Sequence, residues 1–352
     1  MRTLTVAGQR AVLEQALALT AEQTDHLSQD DFSAAAPEHP QWAIGPFRRD
    51  EALAFRPDAQ PPDPVGIGWT STCVFNPSLI EDGGDLVMFY RSAPRKESLG
   101  SRIGMARLRP GAGWEDQGTV IWPTLDDELY GCEDPKIYRA DGRWYLFYNG
   151  VFPVDEEDRA RFPSPGYPVV DVGCDINLAV SDDLAHWEKL GPILDHETSR
   201  LWAKGAVIVR DPAGAPIRVG SEYLMYLSEG CGGRMLVGRS ADLVSWQWTE
   251  QPYLDLSPLG GRLHEVACAV AGHRASDLIL DFFYSDAGGR FAAAQARYDL
   301  ARPFEQRALS RGGTLAWGGL LQRDGRWLIA QGWDAPFGER EISFYRAPIR
   351  TT

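Results

Sequence analysis

From about residue 70 onward, apolar and polar positions alternate in short runs separated by turn residues. Asn76-Pro77-Ser78-Leu79-Ile80 passes through Asp82-Gly83-Gly84 into Asp85 to Tyr90, and Glu133-Asp134-Pro135-Lys136-Ile137 passes through Asp141-Gly142 into Arg143 to Tyr148. Alternation with a period of two predicts half-buried strands. An Asp-Gly pair between two such runs predicts a hairpin, because both residues accept the positive φ of a tight turn. Proline lacks a backbone N–H and is usually confined to the beginning or edge of a strand. The Asp134-Pro135 step therefore predicts the start of an inner strand, with the acid projecting into a central cavity; a carboxylate pair that merely caps a turn is the plainer alternative.

The same arrangement returns at Lys204 to Arg210 with Glu222 to Leu227, at His264 to Val270 with Leu278 to Tyr284, and at Trp317 to Leu321 with Arg326 to Ala330. Five copies result, with the marker positions Asn76, Asp134, Lys204, Glu265 and Trp317 separated by 58, 70, 61 and 52 residues. Third strands are expected at Arg102 to Arg107, Ile176 to Ser181, Arg234 to Ser240 and Phe291 to Arg297. A shared turn into an outer strand follows at Ser181 to Trp187 and at Ser240 to Trp246. Repeats of this size cannot bury their own faces and must stack. Three or four short antiparallel strands per repeat predict an all-β fold, a five-bladed β-propeller. Its blades are expected to begin near Thr72, Gly131, Trp202, Leu263 and Thr314.

The first residues follow a different pattern. Ala11 to Thr20 carries helix formers at helical spacing, and Pro61-Pro62-Asp63-Pro64 interrupts the chain before the first repeat. This divides the protein into an N-terminal helical and irregular extension, residues 1–66, and a propeller, residues 67–352. The extension is expected to lie on one face of the propeller; a role in forming a homo-oligomer is equally compatible with its sequence.

Length alone would permit two or three domains at 352 residues, but an array spends that length on one body. The formal charge of −14 argues against nucleic acid or an anionic membrane as partner, since both require cationic surfaces. No apolar run is long enough to span a bilayer, and the N-terminus lacks the apolar core of an export signal. Five scattered cysteines (Cys73, Cys132, Cys174, Cys231, Cys268) without a CxxC pair read as small hydrophobes in a reducing compartment, so a cytoplasmic location is expected. No cluster has metal-ligand spacing, and neither a metal nor a cofactor is expected.

Equivalent positions in a closed ring converge on its axis. The residues so placed are Asn76, Asp134, Lys204, His264-Glu265 and Trp317. Two carboxyl groups meeting there suit glycosidic cleavage, which needs one acid to protonate the leaving oxygen and a second group to deliver the nucleophile. The two carboxyl groups are those of Asp134 and Glu265, with the roles of acid and base open between them. For Asp134 as acid a raised pKa is required, which burial and the neighbouring Glu133 would favour and Lys136 would oppose. Arg91 and Arg102 are candidates for holding substrate hydroxyls or an anion, Asp175 for accepting from a sugar hydroxyl, and Trp202 and Trp317 for stacking on a sugar ring. A channel packed with structural ion pairs is the competing reading of the same residues.

The succession Asn76-Pro77, Tyr90-Arg91, Ser101-Arg102-Ile103-Gly104 and Glu133-Asp134-Pro135-Lys136-Ile137 resembles glycoside hydrolase family 130. The resemblance covers roughly residues 70–250, including Ser181 to Trp187 and Trp202 to Lys204. It implies a five-bladed propeller with β-mannoside phosphorylase or β-1,2-mannosidase activity, and it makes Asp134 the proton donor, acting directly or through a substrate hydroxyl. More distantly the architecture is similar to families 43, 32, 68 and 117. In families 43 and 32 a first-blade aspartate is base or nucleophile; here Asn76 stands instead, and an amide fills neither role. The Gly-rich, Pro-Pro-Ile segment of the phosphorylases is not evident in the last two blades, where His264-Glu265-Val266-Ala267-Cys268 stands. The family's hydrolases use glutamates as base, and Glu265 matches by position.

The expectation is therefore hydrolysis with inversion of a terminal sugar, a β-mannoside by resemblance, in a small oligosaccharide. Phosphorolysis stays open, because Arg91, Arg102, Lys136 and Lys204 together could hold inorganic phosphate. A non-catalytic carbohydrate-binding propeller also stays open, although a pure binder needs neither Asp134 nor Glu265.

Overall fold

The five alternating repeats form five antiparallel sheets, the blades of a propeller, in a computed structural model that describes residues 5–20, 27–34, 36, 39–57, 73–95, 99–163, 171–274, 276–314, 316–335 and 339–350. Blade one runs from its inner strand outward as Cys73–Asp82, Asp85–Ala93, Arg102–Arg109 and Gly113–Ile121. Blade two is Gly131–Ala140, Arg143–Pro153, Val172–Ser181 and Glu188–Pro192. Blade three is Ala203–Ile208, Glu222–Gly230, Leu236–Ser240 and Gln247–Glu250, with a short strand Arg218–Val219 paired to its second strand. Blade four is Arg262–Ala271, Asp277–Ser285, Phe291–Asp299 and Ala308–Arg311. The hairpins turn where expected: Asp141 and Gly142 have φ of 50° and 81°, and Asp324 and Gly325 have 51° and 69°, which is the twist-matched geometry for two-residue turns.

Blade five departs from expectation in two ways. Its inner strand is Leu321–Arg323 and not a run beginning near Thr314, and Trp317 lies in the turn ahead of it. Its outer strand comes from the other end of the chain: Arg48–Arg49 pairs with Ser343–Pro348, Arg48 opposite Arg346 and Arg49 opposite Tyr345. Arg48–Arg49 thus closes the ring as an edge strand of blade five, which a division at residue 66 cuts away from the propeller.

The hydrophobic core is a ring of five inter-blade clusters. Each joins the facing sides of neighbouring sheets, as in Ile80, Phe89, Ile137 and Leu146 between blades one and two, or Val207, Leu224, Val266 and Phe282 between three and four. Blade five meets blade one through Leu328, Phe344 and Val74, and blade four through Tyr345, Trp327 and Val270. No blade could bury these faces alone, which is why the repeats fold as one body.

Two N-terminal helices cover the side on which the inner strands begin. Val6–Ala18 starts at Thr5, whose hydroxyl accepts from the Gly8 N–H at 3.1 Å. It buries Ala16 in a cluster with Leu99, Tyr130, Val151 and Trp202. The second helix, Gln29–Ala34, places Phe32 among Phe75, Trp317 and Trp333. The expected position of the extension on one face holds for these helices. No described helix is long and apolar enough to cross a membrane.

Candidate active site

Asn76 and Asp134 share an unusual backbone. Their φ values are 46° and 50°, a left-handed conformation that asparagine and aspartate tolerate better than other side chains do. Each precedes a proline, which cannot donate to the ladder, and each sits in a β-bulge, between Phe75 and Ser78 in one blade and between Glu133 and Lys136 in the next. Successive residues of a regular strand point to opposite faces. The bulge breaks that alternation and allows Glu133 and Asp134, although adjacent, to face the same cations.

Arg91 reaches from the second strand of blade one. Its Nη2 donates to Glu133 Oε1 at 2.8 Å, its Nη1 to Asp134 Oδ1 at 3.0 Å and its Nε to Ser101 Oγ at 2.8 Å. Lys204 arrives from blade three, with Nζ 3.0 Å from both Glu133 Oε2 and Asp134 Oδ2. The Asn76 amide donates to Asp134 Oδ1 at 2.7 Å and accepts from Trp333 Nε1 at 2.8 Å. Lys136 Nζ donates to the Trp317 carbonyl.

Glu265, from blade four, shares with Asp134, Lys136 and Gly205 a small cavity of about 10 Å³, room for one water at most. The expected convergence of Asn76, Asp134, Lys204 and Glu265 is thus found. Trp317 joins them through its backbone carbonyl. Its ring lies 4.2 Å from that of Phe283 and stacks on Trp333 at 5.6 Å.

The charge states differ from those the sequence led us to expect. Burial alone would push the Asp134 carboxyl up, but Lys204, Arg91, Lys136 and the Asn76 bond hold it well below the usual carboxylate range. The expectation of a raised pKa is therefore corrected: three cations from separate strands outweigh burial. Glu265 goes the other way. Burial pushes it up to about 8, opposed by Lys136 and reinforced by Glu229 and Asp134, which favours its protonated form at pH 7. Burial would lower the Lys204 ammonium, but Asp134 and Glu133 hold it well above its ordinary value. Arg91, Lys136 and Lys204 face Glu133 and Asp134, and Glu229 adds its charge beside Glu265.

The remaining sequence candidates do not line the cavity that Asp134 and Glu265 share. Arg102 is buried in the third strand of blade one, where Nη1 donates to the Ser101 carbonyl at 2.8 Å. Asp175 is buried in the third strand of blade two, 3.5 Å from His196 Nε2; burial holds its pKa well above the carboxylate range, with Ser199 opposing. His264 shares a hydrogen bond with Ser285 Oγ at 2.6 Å, and burial, with Arg262, lowers its pKa. Trp202 and Trp317 are 5% and 6% exposed; both pack in hydrophobic clusters, so their faces are largely taken by other side chains. Glu133, Ser101 and Trp333 were not assigned roles from sequence. The Glu133-Asp134-Pro135 step was the available signal for Glu133, since a proline-linked bulge lets both carboxylates turn to one side.

Gly205 is required where it stands. Its φ is 68°, and a Cβ there would lie 2.4 Å from Glu265 Cβ and 2.7 Å from Ser228 Oγ. A Gly205→Ala protein is expected to lose about 1–3 kcal/mol of stability from overpacking, read as a lower unfolding midpoint. An unchanged midpoint would mean that Glu265 can move away freely.

A family profile described as beta-1,4-mannooligosaccharide phosphorylase matches residues 49–157, the segment that holds Asn76, Arg91 and Asp134. Among curated proteins, a 1,2-beta-oligomannan phosphorylase of Thermoanaerobacter sp. (strain X514) is 26% identical over 163 residues, 45% of this chain and 46% of the relative. A beta-1,2-mannobiose phosphorylase of the same organism is 27% identical over 139 residues, 36% of this chain and 41% of the relative. The match thus spans less than half the length of these relatives.

Solved structures match over more of the fold. A structure from work on family members described as glycoside hydrolases that target beta-1,2 mannosidic linkages in Candida mannan aligns with a TM-score of 0.66 at 20% identity, covering 89% of this chain and 97% of that one. The beta-1,2-mannobiose phosphorylase from Listeria innocua aligns with a TM-score of 0.62 at 13% identity, covering 86% and 97%. With the matched segment, the motif residues within it and the shared architecture together, this chain is a five-bladed propeller protein similar to glycoside hydrolase family 130.

Proposed function

We propose that the protein cleaves a terminal β-mannoside with inorganic phosphate as acceptor. The bond between C1 and the glycosidic oxygen breaks, a phosphate oxygen bonds to C1 from the opposite face, and the leaving oxygen takes a proton from Asp134. The carrying observation is the gathering of three cations, Arg91, Lys136 and Lys204, around Asp134. A phosphate dianion suits such a site. A water-activating base suits it less, because burial favours the protonated form of Glu265 and so weakens it as a proton acceptor at neutral pH. The phosphorylase names of the sequence relatives support the same direction, against the initial expectation of hydrolysis.

Asp134 is ionised in the free protein, so it must gain its proton during the cycle. Phosphate drawing on Lys204 and Arg91 loosens their hold on Asp134 and raises its pKa, so that Asp134 takes up the proton the hydrogen phosphate gives off and passes it to the leaving oxygen. The direct test is incubation with β-1,2-mannobiose with and without phosphate. Phosphate-dependent release of a sugar 1-phosphate is the expected result; cleavage to free mannose at a rate indifferent to phosphate would end the proposal. Hydrolysis is the second reading, favoured by the cavity that Asp134 and Glu265 share.

The two readings differ in pH dependence. As pH rises through about 8, Glu265 ionises and its carboxylate repels a phosphate dianion. Phosphorolysis should then show a rising KM for phosphate above that pH, and Glu265→Gln, locked neutral, should remove the rise and keep activity at pH 7. If Glu265 is instead the base of a hydrolase, activity increases through pH 8 and Glu265→Gln abolishes it.

A further inference from the structure

We propose that the outer edge of blade five is a binding site for a small organic molecule carrying two or more phosphate groups, separate from the axial site. A cavity of about 960 Å³ opens there, within the size range of small-molecule pockets. Arg48, Arg49, Arg326, Arg346 and Arg350 line it, with Asp50 and Glu51 as the carboxylates among its lining residues. In a protein of formal charge −14, such a concentration of arginine is against the general trend of the surface.

The arginines differ in how far they are committed. Arg49 is paired with Glu51 at 3.0 Å and Glu341 at 2.6 Å, Arg346 with Asp50 at 2.5 Å, and Arg350 donates to the carbonyls of His39 and Pro40. Arg48 and Arg326 are exposed, and neither has an ion-pair partner among the described residues. Register places them together. Arg48 stands directly opposite Arg346, and Arg326 directly opposite Pro348, two residues along the same strand. Side chains two apart share a face, so Arg48, Arg326 and Arg346 project from one side of the sheet.

Like charges directly opposed across strands destabilise a sheet. Asp50 offsets only one of the three on this face. A local rule broken without compensation inside the protein marks a site where something else supplies the compensation, and a concave array of guanidinium groups matches phosphate oxygens in geometry and charge.

The test is isothermal titration with fructose 1,6-bisphosphate and with pyrophosphate at low ionic strength. The wild-type protein is expected to bind at least one of them, with affinity falling steeply as salt is added. The double variant Arg48→Ala, Arg326→Ala should bind at least tenfold more weakly while its unfolding midpoint is unchanged or higher, because the opposed charges are gone. Absence of binding to both probes would overturn the proposal. So would binding that the double variant keeps, or binding of heparin with no response to the small phosphates, which would make this a polyanion surface and not a small-molecule site.

Discussion

An Asp134→Asn protein is expected to lose at least ~10²-fold of its activity on a β-mannoside with a poor leaving group, the scale set by removal of a general acid. The substitution keeps the shape of the side chain and leaves the positions of its neighbours filled. Arg91 and Lys204 retain Glu133 as a partner, at 2.8 and 3.0 Å, so no cation is left buried alone. What disappears is the transferable proton. An aryl mannoside whose leaving group needs no protonation should therefore lose much less, and that contrast separates a catalytic effect from a collapsed site. An Asp134→Asn enzyme with full activity on the poor substrate would refute the assignment of the acid.

The largest stability effect is expected at Arg91. Its side chain is 1% exposed, it bonds both Glu133 and Asp134, and its guanidinium lies 4.6 Å from the centre of the Phe75 ring. Arg91→Met keeps much of the packing but takes from the two buried carboxylates the guanidinium that bonds them both. Breaking a buried ion pair from one side costs about 3–5 kcal/mol, which urea denaturation at pH 7 would register.

The pH dependence follows from the sign of the Asp134 shift. Its folded-state pKa is depressed below the unfolded value of 3.8, so its contribution is fully present above that value and is lost as pH falls below it. Without the guanidinium the depression is smaller. The gap between wild type and variant should then be widest near neutrality and shrink below about pH 4, where carboxylates in both proteins begin to take up protons. A gap that stays constant into acid would point to lost packing on Phe75 instead of lost charge.

Much of the fold was legible because its signals are local. Alternation with period two, Asp-Gly turns at residues 141–142 and 324–325, and proline after Asn76 and Asp134 act over a few residues, and each repeat carries its own copy. Convergence of Asn76, Asp134, Lys204 and Glu265 follows from repetition and ring closure, without knowledge of any side-chain contact. The closing strand Arg48–Arg49 had no such signal. It is two charged residues long, and what makes it a strand is the unpaired edge of Ser343–Pro348, which exists only once the chain has come full circle.

The site's chemistry belongs to the same division. The sequence determined which titratable groups would meet at the axis, and it named Asp134 and Glu265 for acid and base. Only the tertiary structure decided their charges. Asp134 lies within 3.0 Å of cations from blades one and three and is held ionised, whereas Glu265 is buried with weaker compensation and is pushed up to about 8. Likewise Trp202 and Trp317, plausible sugar platforms as residue types, are packed against aromatic and aliphatic neighbours contributed by other blades and by the N-terminal helices. Residue type and spacing are properties of a strand, but desolvation and Coulomb energy depend on which distant strands close around it.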